Sequence, residues 1–396
     1  MNKVPNLRFQ GFNEDWKKQK LGKLTKLTDG VHFTPTYVES GVPFWSVETV
    51  VSNVKPKYIT QEAHNEAIKR CYPQYGDILL TRIGTLARPK LVDWNEPFSI
   101  YVSLALIKSS SKFNSKFCKY YLETEYYRKD FLSKSLLTAT PQKINMEDLK
   151  HTKLSLPSQK EQEKIASFFS LIDKKIELQT EKVEELKNYK KGIMQKIFSQ
   201  ELRFKDENGN EYPEWEEKKL GNFIVEYKEK TTVENEYPVL TSSRSGLMFQ
   251  TDYFKDRQVT TQDNIGYHII PRGYITFRSR SDDTTFKFNQ NNLIDKGIIS
   301  YFYPVFCFNE SLNDMYALYF MNNYLGCQIR REIVGTSQLV LSLNKLKELK
   351  IPVPCIEEQN KIGKLLDNLE NKILQEQNKL NHFNRYKKGL LQQMFI

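Results

Sequence analysis

Apolar positions in two stretches of the chain recur at alternating steps of three and four residues. In the first they run Ile165, Phe169, Ile172, Ile176, then Val183 and Leu186, before the register shifts to Tyr189 or Lys190 and resumes at Ile193 and Ile197. In the second they run Ile362, Leu366, Leu369, Ile373, Leu380, Phe383, Leu390 and Met394. This spacing predicts helices with a coiled-coil seam. Polar residues, Gln179 and Glu376, interrupt both seams at the same point, as residues that fix register do. Neither stretch contains Pro, which stands just before each start at Pro157 and Pro354. A helix of about 40 residues is roughly 60 Å long, more than a small domain accommodates.

The two stretches are copies of one another. Residues 157–198 align with residues 354–395 without a gap at an offset of 197, with 14 of 42 positions identical, including Tyr-Lys-Lys-Gly at 189–192 and 386–389. The repeat reaches further. Leu7-Arg8-Phe9, Trp16 and Lys20-Leu21-Gly22 match Leu202-Arg203-Phe204, Trp215 and Lys219-Leu220-Gly221, and Gly76-Asp77-Ile78 falls on Gly273-Tyr274-Ile275. Ile144 to Pro157 likewise aligns with Leu341 to Pro354. Little else matches between these anchors. The order is therefore domain 1–156, helix 157–200, domain 201–353, helix 354–396. Phe198 leads straight into the second Leu-Arg-Phe, whereas Phe395 closes the sequence and the first Leu-Arg-Phe opens it. That circular order predicts that the two ends meet in space. Two copies of one unit can form a pseudo-dimer, in which the helices pair antiparallel and separate the two domains. Two other arrangements fit the same pattern: each helix packed on its own domain, or homodimerisation through the helices.

The intervening segments read as mixed. Strands are predicted at Val42–Val47, Asp77–Leu80, Val102–Ile107, Tyr237–Leu240, Tyr274–Phe277 and Ile298–Phe302, and helices at Ser115–Lys129 and Ser311–Arg330. The expected fold class is α+β, with two pseudo-two-fold-related α/β domains and a long antiparallel coiled coil.

Composition adds a partner. The net charge is +11 and aromatics make up 13% of residues, which suits a folded chain that binds a polyanion, although solubility alone could use such charge. Five scattered Cys, an N-terminus without an apolar core and the lack of any long apolar run predict a cytoplasmic protein outside the membrane. Hydrogen-bonding and basic residues crowd particular loops. They are His32, Thr34, Thr36, Thr81, Arg82, Thr85, Arg88 and Lys90 in the first domain, and Ser242, Ser243, Arg244, Ser245, Arg278, Ser279 and Arg280 in the second. Arg reads guanine bidentately, and Ser or Thr serves bases or phosphates; the bland alternative is that loops are polar.

No catalytic constellation is apparent. There is no phosphate-binding or dinucleotide glycine loop and no metal-ligand spacing. Asn95-Glu96-Pro97-Phe98 approaches an adenine-methyltransferase motif but has Glu where the first Pro belongs. Glu214, Glu216 and Glu217 lie too close in sequence for a nuclease metal site, so they read as surface charge.

The duplicated Pro-x3-Glu-Gln-x2-Ile helix openings (Pro157, Glu161, Gln162, Ile165 and Pro354, Glu358, Gln359, Ile362) and the Leu-Gly elements resemble the specificity subunits of type I restriction–modification systems. The resemblance covers nearly the whole chain. It implies that each domain reads one half of a split double-stranded DNA target, asymmetric because the domains diverge, and that the coiled coil sets the spacer. It further implies docking of two modification subunits that methylate adenine at N6, and of two restriction subunits in the full complex. S-adenosylmethionine, ATP and magnesium are then expected on those partners, and no catalysis or metal on this chain.

Overall fold

A computed structural model describes residues 4–52, 54–254, 264–333 and 339–396. The chain divides into two compact units, Met1–Lys182 with Glu376–Ile396, and Val183–Gln375. Both boundaries fall inside the long helices, which run Gln159–Phe198 and Ile356–Met394. The domain limits read from sequence, at the helix starts, therefore differ from the compact units, because each unit takes in a part of both helices.

In the first unit the central sheet has the order Leu27–Asp29, Leu104–Ile107, Ile78–Thr81, Pro89–Leu91, antiparallel throughout. Every residue of Ile78–Thr81 and Leu104–Ile107 is buried, so neither strand shows apolar-polar alternation. Successive side chains point to opposite faces. Ile78, Leu80, Ala105 and Ile107 accordingly join a core with the helices, while Leu79, Leu104 and Leu106 join another with Cys71 and Phe98. A second four-stranded sheet contains Val42–Trp45, paired parallel to Ser99–Ile100.

The second unit repeats the central sheet as Ile224–Tyr227, Val305–Phe308, Ile275–Phe277, Phe288–Gln290. Its remaining strands form separate two-stranded pairs rather than a four-stranded sheet. The predicted strand at Ile298–Phe302 lies two residues earlier, at Lys296–Ile299. Each predicted domain helix is two helices. Ser115–Leu122 gives way to Glu125–Leu132 where Thr124 caps the second with its hydroxyl accepting from Tyr127 N at 3.2 Å. Asp314–Tyr324 gives way to Gly326–Glu332 at Leu325.

The repeated motifs form the joints. Lys17–Lys20 pairs with Lys153–Leu156, and Glu216–Lys219 with Lys350–Val353. The Leu-Gly elements follow directly. A Cβ on Gly22 would lie 2.7 Å from Lys150 Cβ, and one on Gly221 3.0 Å from the Lys347 carbonyl, so close approach of the helices Met146–Lys150 and Leu343–Glu348 favours glycine there. The Glu and Gln that open each long helix are buried. Arg8 clamps Glu161 through Nε and Nη2 at 2.7 and 2.8 Å; Arg203 holds Glu358 at 3.3 and 2.9 Å. Gln162 Oε1 accepts from Asn114 N at 2.9 Å and Gln359 Oε1 from Asn313 N at 2.8 Å, tying each long helix to the capped start of a domain helix.

The first unit brings the chain ends together. Leu7 N donates to Gln393 O at 2.9 Å, Tyr121 Oη donates to Ile396 O at 2.8 Å, and Trp16 and Phe395 pack edge-on. Within this unit the two long helices run antiparallel: Phe169 lies against Phe395, Asp173 against Lys387, Lys175 against Phe383 and Gln179 against Glu376. The second unit pairs Lys190 with Glu370. The chain thus answers the open question of packing in a mixed way, since each long helix also sits on a domain. Ile165 and Phe169 belong to the first core and Ile362 and Leu366 to the second. Val183, Ile373 and Leu380 are buried, and Ile172, Ile176, Leu186, Leu369 and Phe383 half-buried.

The register shift resolves onto lysine. Tyr189 and its copy Tyr386 are exposed. Lys190 binds Glu370 and lies 4.6 Å over Tyr319; Lys387 binds Asp173 at 2.8 Å and lies 5.4 Å over Tyr120. Asp173 and Glu370 are themselves repeat counterparts, so one cation–carboxylate–tyrosine cluster occurs in each unit. Burial alone would push Asp173 up, but the two lysines, Lys119 and Lys387, outweigh it and hold the carboxyl below its usual range. Gln179 Nε2 donates to Glu376 Oε2 at 2.7 Å, and the two residues are each other's repeat copies. Hydrogen bonds from Gln179, Lys379 and Lys182 hold the Glu376 carboxyl down to about 2.

Candidate nucleic-acid interface

In the second unit the nominated residues converge. The central strand Ile275–Phe277 delivers Arg278 and Arg280 at its end, and the turn of the hairpin joining Leu240–Ser243 to Gly246–Phe249 delivers Arg244 and Ser245. Ser243, Arg244, Ser245, Arg278, Arg280 and Lys287 line one open cleft of about 470 Å³. Ser279 stands between the two arginines and hydrogen-bonds Phe302 O. Arg244 Nη2 is held by Asp283 Oδ2 at 2.6 Å. Asp283 is fixed in turn by Thr285 N at 2.8 Å, and that backbone hydrogen bond leads the causes that lower its carboxyl. The Arg280 guanidinium lies 4.2 Å over the Phe302 ring, an arrangement that keeps it rigid while its edges stay in solvent. Ser243 donates to Gly246 O at 2.9 Å and shapes the turn. Ser242 also lines the cleft, but it is largely buried and its hydroxyl accepts from Asn289 Nδ2 at 2.8 Å, which braces the hairpin. Lys287 precedes the strand Phe288–Gln290 instead of following one, so no sequence signal set it apart; burial pushes its ammonium down.

The first unit is arranged differently, and two expectations are corrected. Thr81 and Arg82 do not face solvent. Thr81 is fully buried and its hydroxyl accepts from Arg88 N at 2.9 Å. Arg82 is also buried; it donates to Ile144 O, Val102 O and Asp29 Oδ2 at 3.2, 2.8 and 3.3 Å. A guanidinium spent on these partners stitches strand ends together and cannot reach a base. Thr85 and Arg88 are exposed on the hairpin that follows. Lys90 is half-buried beside Trp94 and lines a separate cleft with Lys116 and Lys119. Thr36 is exposed and Thr34 Oγ1 lies 3.3 Å from Tyr101 Oη. His32 Nε2 lies 2.8 Å from Asp29 Oδ2 and 3.0 Å from Arg70 Nη2. Asp29 and Arg70 were not singled out by sequence, since Arg70 ends a helix and Asp29 reads as one half of a turn signal.

Both units thus present cations at the end of a duplicated central sheet, on divergent loops, above a framework of repeated joints. That is a two-fold duplicated recognition module. A family model described as the type I restriction modification DNA specificity domain matches residues 13–188 and again residues 194–384. The chain belongs to this family and carries two copies of its domain. It is similar to the type I restriction enzyme MjaVIII specificity subunit of Methanocaldococcus jannaschii, 29% identical over 206 residues, 49% of this chain and 48% of that protein. It is also similar to the putative MjaX specificity subunit of the same organism, 26% identical over 224 residues, 53% and 52% of the two chains. The matched stretch thus spans about half the length of these relatives. Among solved structures, the type I restriction–modification S subunit from M. genitalium shares the fold, with a TM-score of 0.62, 18% identity and 99% of both chains covered.

Proposed function

We propose that this chain is the DNA sequence-specificity subunit of a type I restriction–modification complex, in which each domain reads one half of an asymmetric bipartite target. The observation that carries this reading is a contrast: the joints are duplicated residue for residue, whereas the cationic loops at the sheet ends are not. Duplicated joints hold two modules in one way, and different loops give them different half-sites. The paired long helices set the length of the unread spacer. The partners are double-stranded DNA, two modification subunits carrying S-adenosylmethionine, and two restriction subunits using ATP and magnesium; this chain contributes selection alone.

Docking of the modification subunits has its own support. Lys190 and Lys387 are accounted for by internal ion pairs and Tyr386 stacks on His382, but the remaining residues of the identical block are exposed or open to solvent. Tyr189, Lys191, Tyr386 and Lys388 are exposed, and a Cβ added to Gly192 or Gly389 would meet nothing within 4 Å. A glycine inside a helix costs about 1 kcal/mol relative to alanine, and nothing among the described residues requires it. A partner packed closely against the same helical turn in each unit accounts for both glycines.

The test is expression of the chain with the modification subunit of its own system in a host that lacks one, followed by methylome sequencing. One split, asymmetric, methylated-adenine motif is expected. Methylation without sequence preference, or none when both subunits are present and folded, would overturn the reading. Shortening both long helices by one turn should change the spacer, and an unchanged spacer would remove the helices from that role.

A further inference from the structure

We infer that Arg70, held in place by Asp29, is a base-reading arginine of the first recognition domain and takes a guanine edge in the major groove. This rests on the reading of the chain as a DNA specificity subunit and assigns a residue within it. Arg70 is the last residue of the helix Gln61–Arg70, and its Nη2 donates to Asp29 Oδ1 at 2.7 Å. Asp29 ends the strand Leu27–Asp29 and its side chain is only 8% exposed. Its other oxygen faces Arg82 Nη1 at 3.3 Å and His32 Nε2 at 2.8 Å.

The charge balance singles out Arg70. Arg82, as buried as Asp29, already supplies the internal counter-charge. Arg70 is therefore a surplus cation, 52% exposed and fixed along one edge. Among the described residues neither its Nη1 nor its Nε forms a hydrogen bond, so part of the donor fork remains for a ligand. Burial would raise the Asp29 carboxyl, but the hydrogen bonds from Arg70 and His32 outweigh it and leave the group below its ordinary range, so it stays charged and keeps its hold. A surface arginine normally loses rotamer freedom on binding; here Asp29 has removed much of it beforehand.

Position completes the case. Arg82 directly follows the central strand Ile78–Thr81 and touches Asp29, so the Asp29–His32–Arg70 group sits at that end of the sheet. The corresponding strand of the second unit, Ile275–Phe277, is followed by the exposed Arg278 and Arg280. Where the first unit turns its own strand-end arginine inward, the neighbouring helix supplies Arg70 in its place. Arginine recognises guanine O6 and N7, and the Arg70 donors that Asp29 does not hold remain for that contact.

The experiment uses the full chain co-expressed with its modification subunit and a DNA library randomised across both half-sites. Arg70→Ala should relax the preference for guanine at one position of the first half-site by about 5- to 150-fold. Arg70→Lys should relax the same position, since it keeps the charge and loses the fork. The second half-site should be unchanged. Asp29→Asn should give part of the same loss, but the outcome rests on the Arg70 variants, which alter a surface residue and leave the Arg82–Asp29 pair intact. An even weakening across all sequences with a shallower salt dependence would make Arg70 a phosphate contact and overturn the assignment, as would unchanged selection. If the unaltered chain selects no sequence, the functional reading itself falls and this assignment with it.

Discussion

The two units have the same joints and handle the same problem in opposite ways at the strand end. In the second, the residues after the central strand, Arg278 and Arg280, stay in solvent and meet Arg244 and Lys287 around one cleft. In the first, Arg82 turns inward to bind two carbonyls and a buried carboxylate, and the exposed cations come from elsewhere. An arginine at the end of a buried strand is thus equally suited to finishing the core or to facing a ligand. What decides is whether a carboxylate lies within reach: Asp29 is there for Arg82, whereas Asp283 reaches Arg244 only from the surface.

The joints differ in one detail that gives the largest expected effect. Trp215 Nε1 donates to Glu358 Oε2 at 2.9 Å, whereas the counterpart Trp16 Nε1 is buried with no partner among the described residues. Removing Arg203 leaves Glu358 one hydrogen bond; removing Arg8 leaves Glu161 with none from the tryptophan. Arg8→Ala should therefore destabilise by about 3–5 kcal/mol, the range for stripping one partner from a buried pair. Arg203→Ala should cost about 1 kcal/mol less, the value of a retained hydrogen bond. Urea titration of the two variants checks the order, and equal losses would deny the tryptophan a role.

The strand-end contrast makes the next prediction. Arg278→Ala should weaken the second half-site by about 1–3 kcal/mol in DNA binding and move the unfolding midpoint little. Arg82→Ala should do the reverse, lowering stability because it leaves Asp29 short of its internal partner. If both variants behaved alike in melting experiments, the assignment of one to the core and the other to the cleft would be wrong.

Smaller effects test the helices. Gly192→Ala and Gly389→Ala should each stabilise the chain on its own by about 1 kcal/mol and weaken capture of the modification subunit, measured by co-purification; tighter capture would contradict close packing there. The smallest effect concerns pH. The Glu376 carboxyl lies at about 2 in the fold, against an ordinary value of 4.5. A lowered group contributes stability that is complete above the unfolded value and is lost as pH falls from about 4.5 towards 2. Glu376→Gln should remove that part of the acid dependence, read from melting midpoints across this range, and identical acid profiles would show that the carboxylate adds nothing.

Periodicity, spacing and duplication are properties of the linear chain, and they determined a good deal. The heptad spacing located both helices to within two residues, and the repeat located the joints, because a residue kept in two otherwise divergent copies must do the same thing twice. Glu161, Gln162, Gly22 and their counterparts all proved to have internal partners or tight neighbours. The circular order of motifs anticipated the meeting of Leu7 with Gln393. Tertiary structure alone decided which cations face solvent. Burial depends on a carboxylate supplied from a distant position, as Asp29 lies 53 residues from Arg82 and 41 from Arg70, and no local pattern encodes that distance. It also decided that each long helix serves both as a partner to its copy and as a wall of a domain core. The seam spacing is the same in either role, and only the residues packed against it tell them apart.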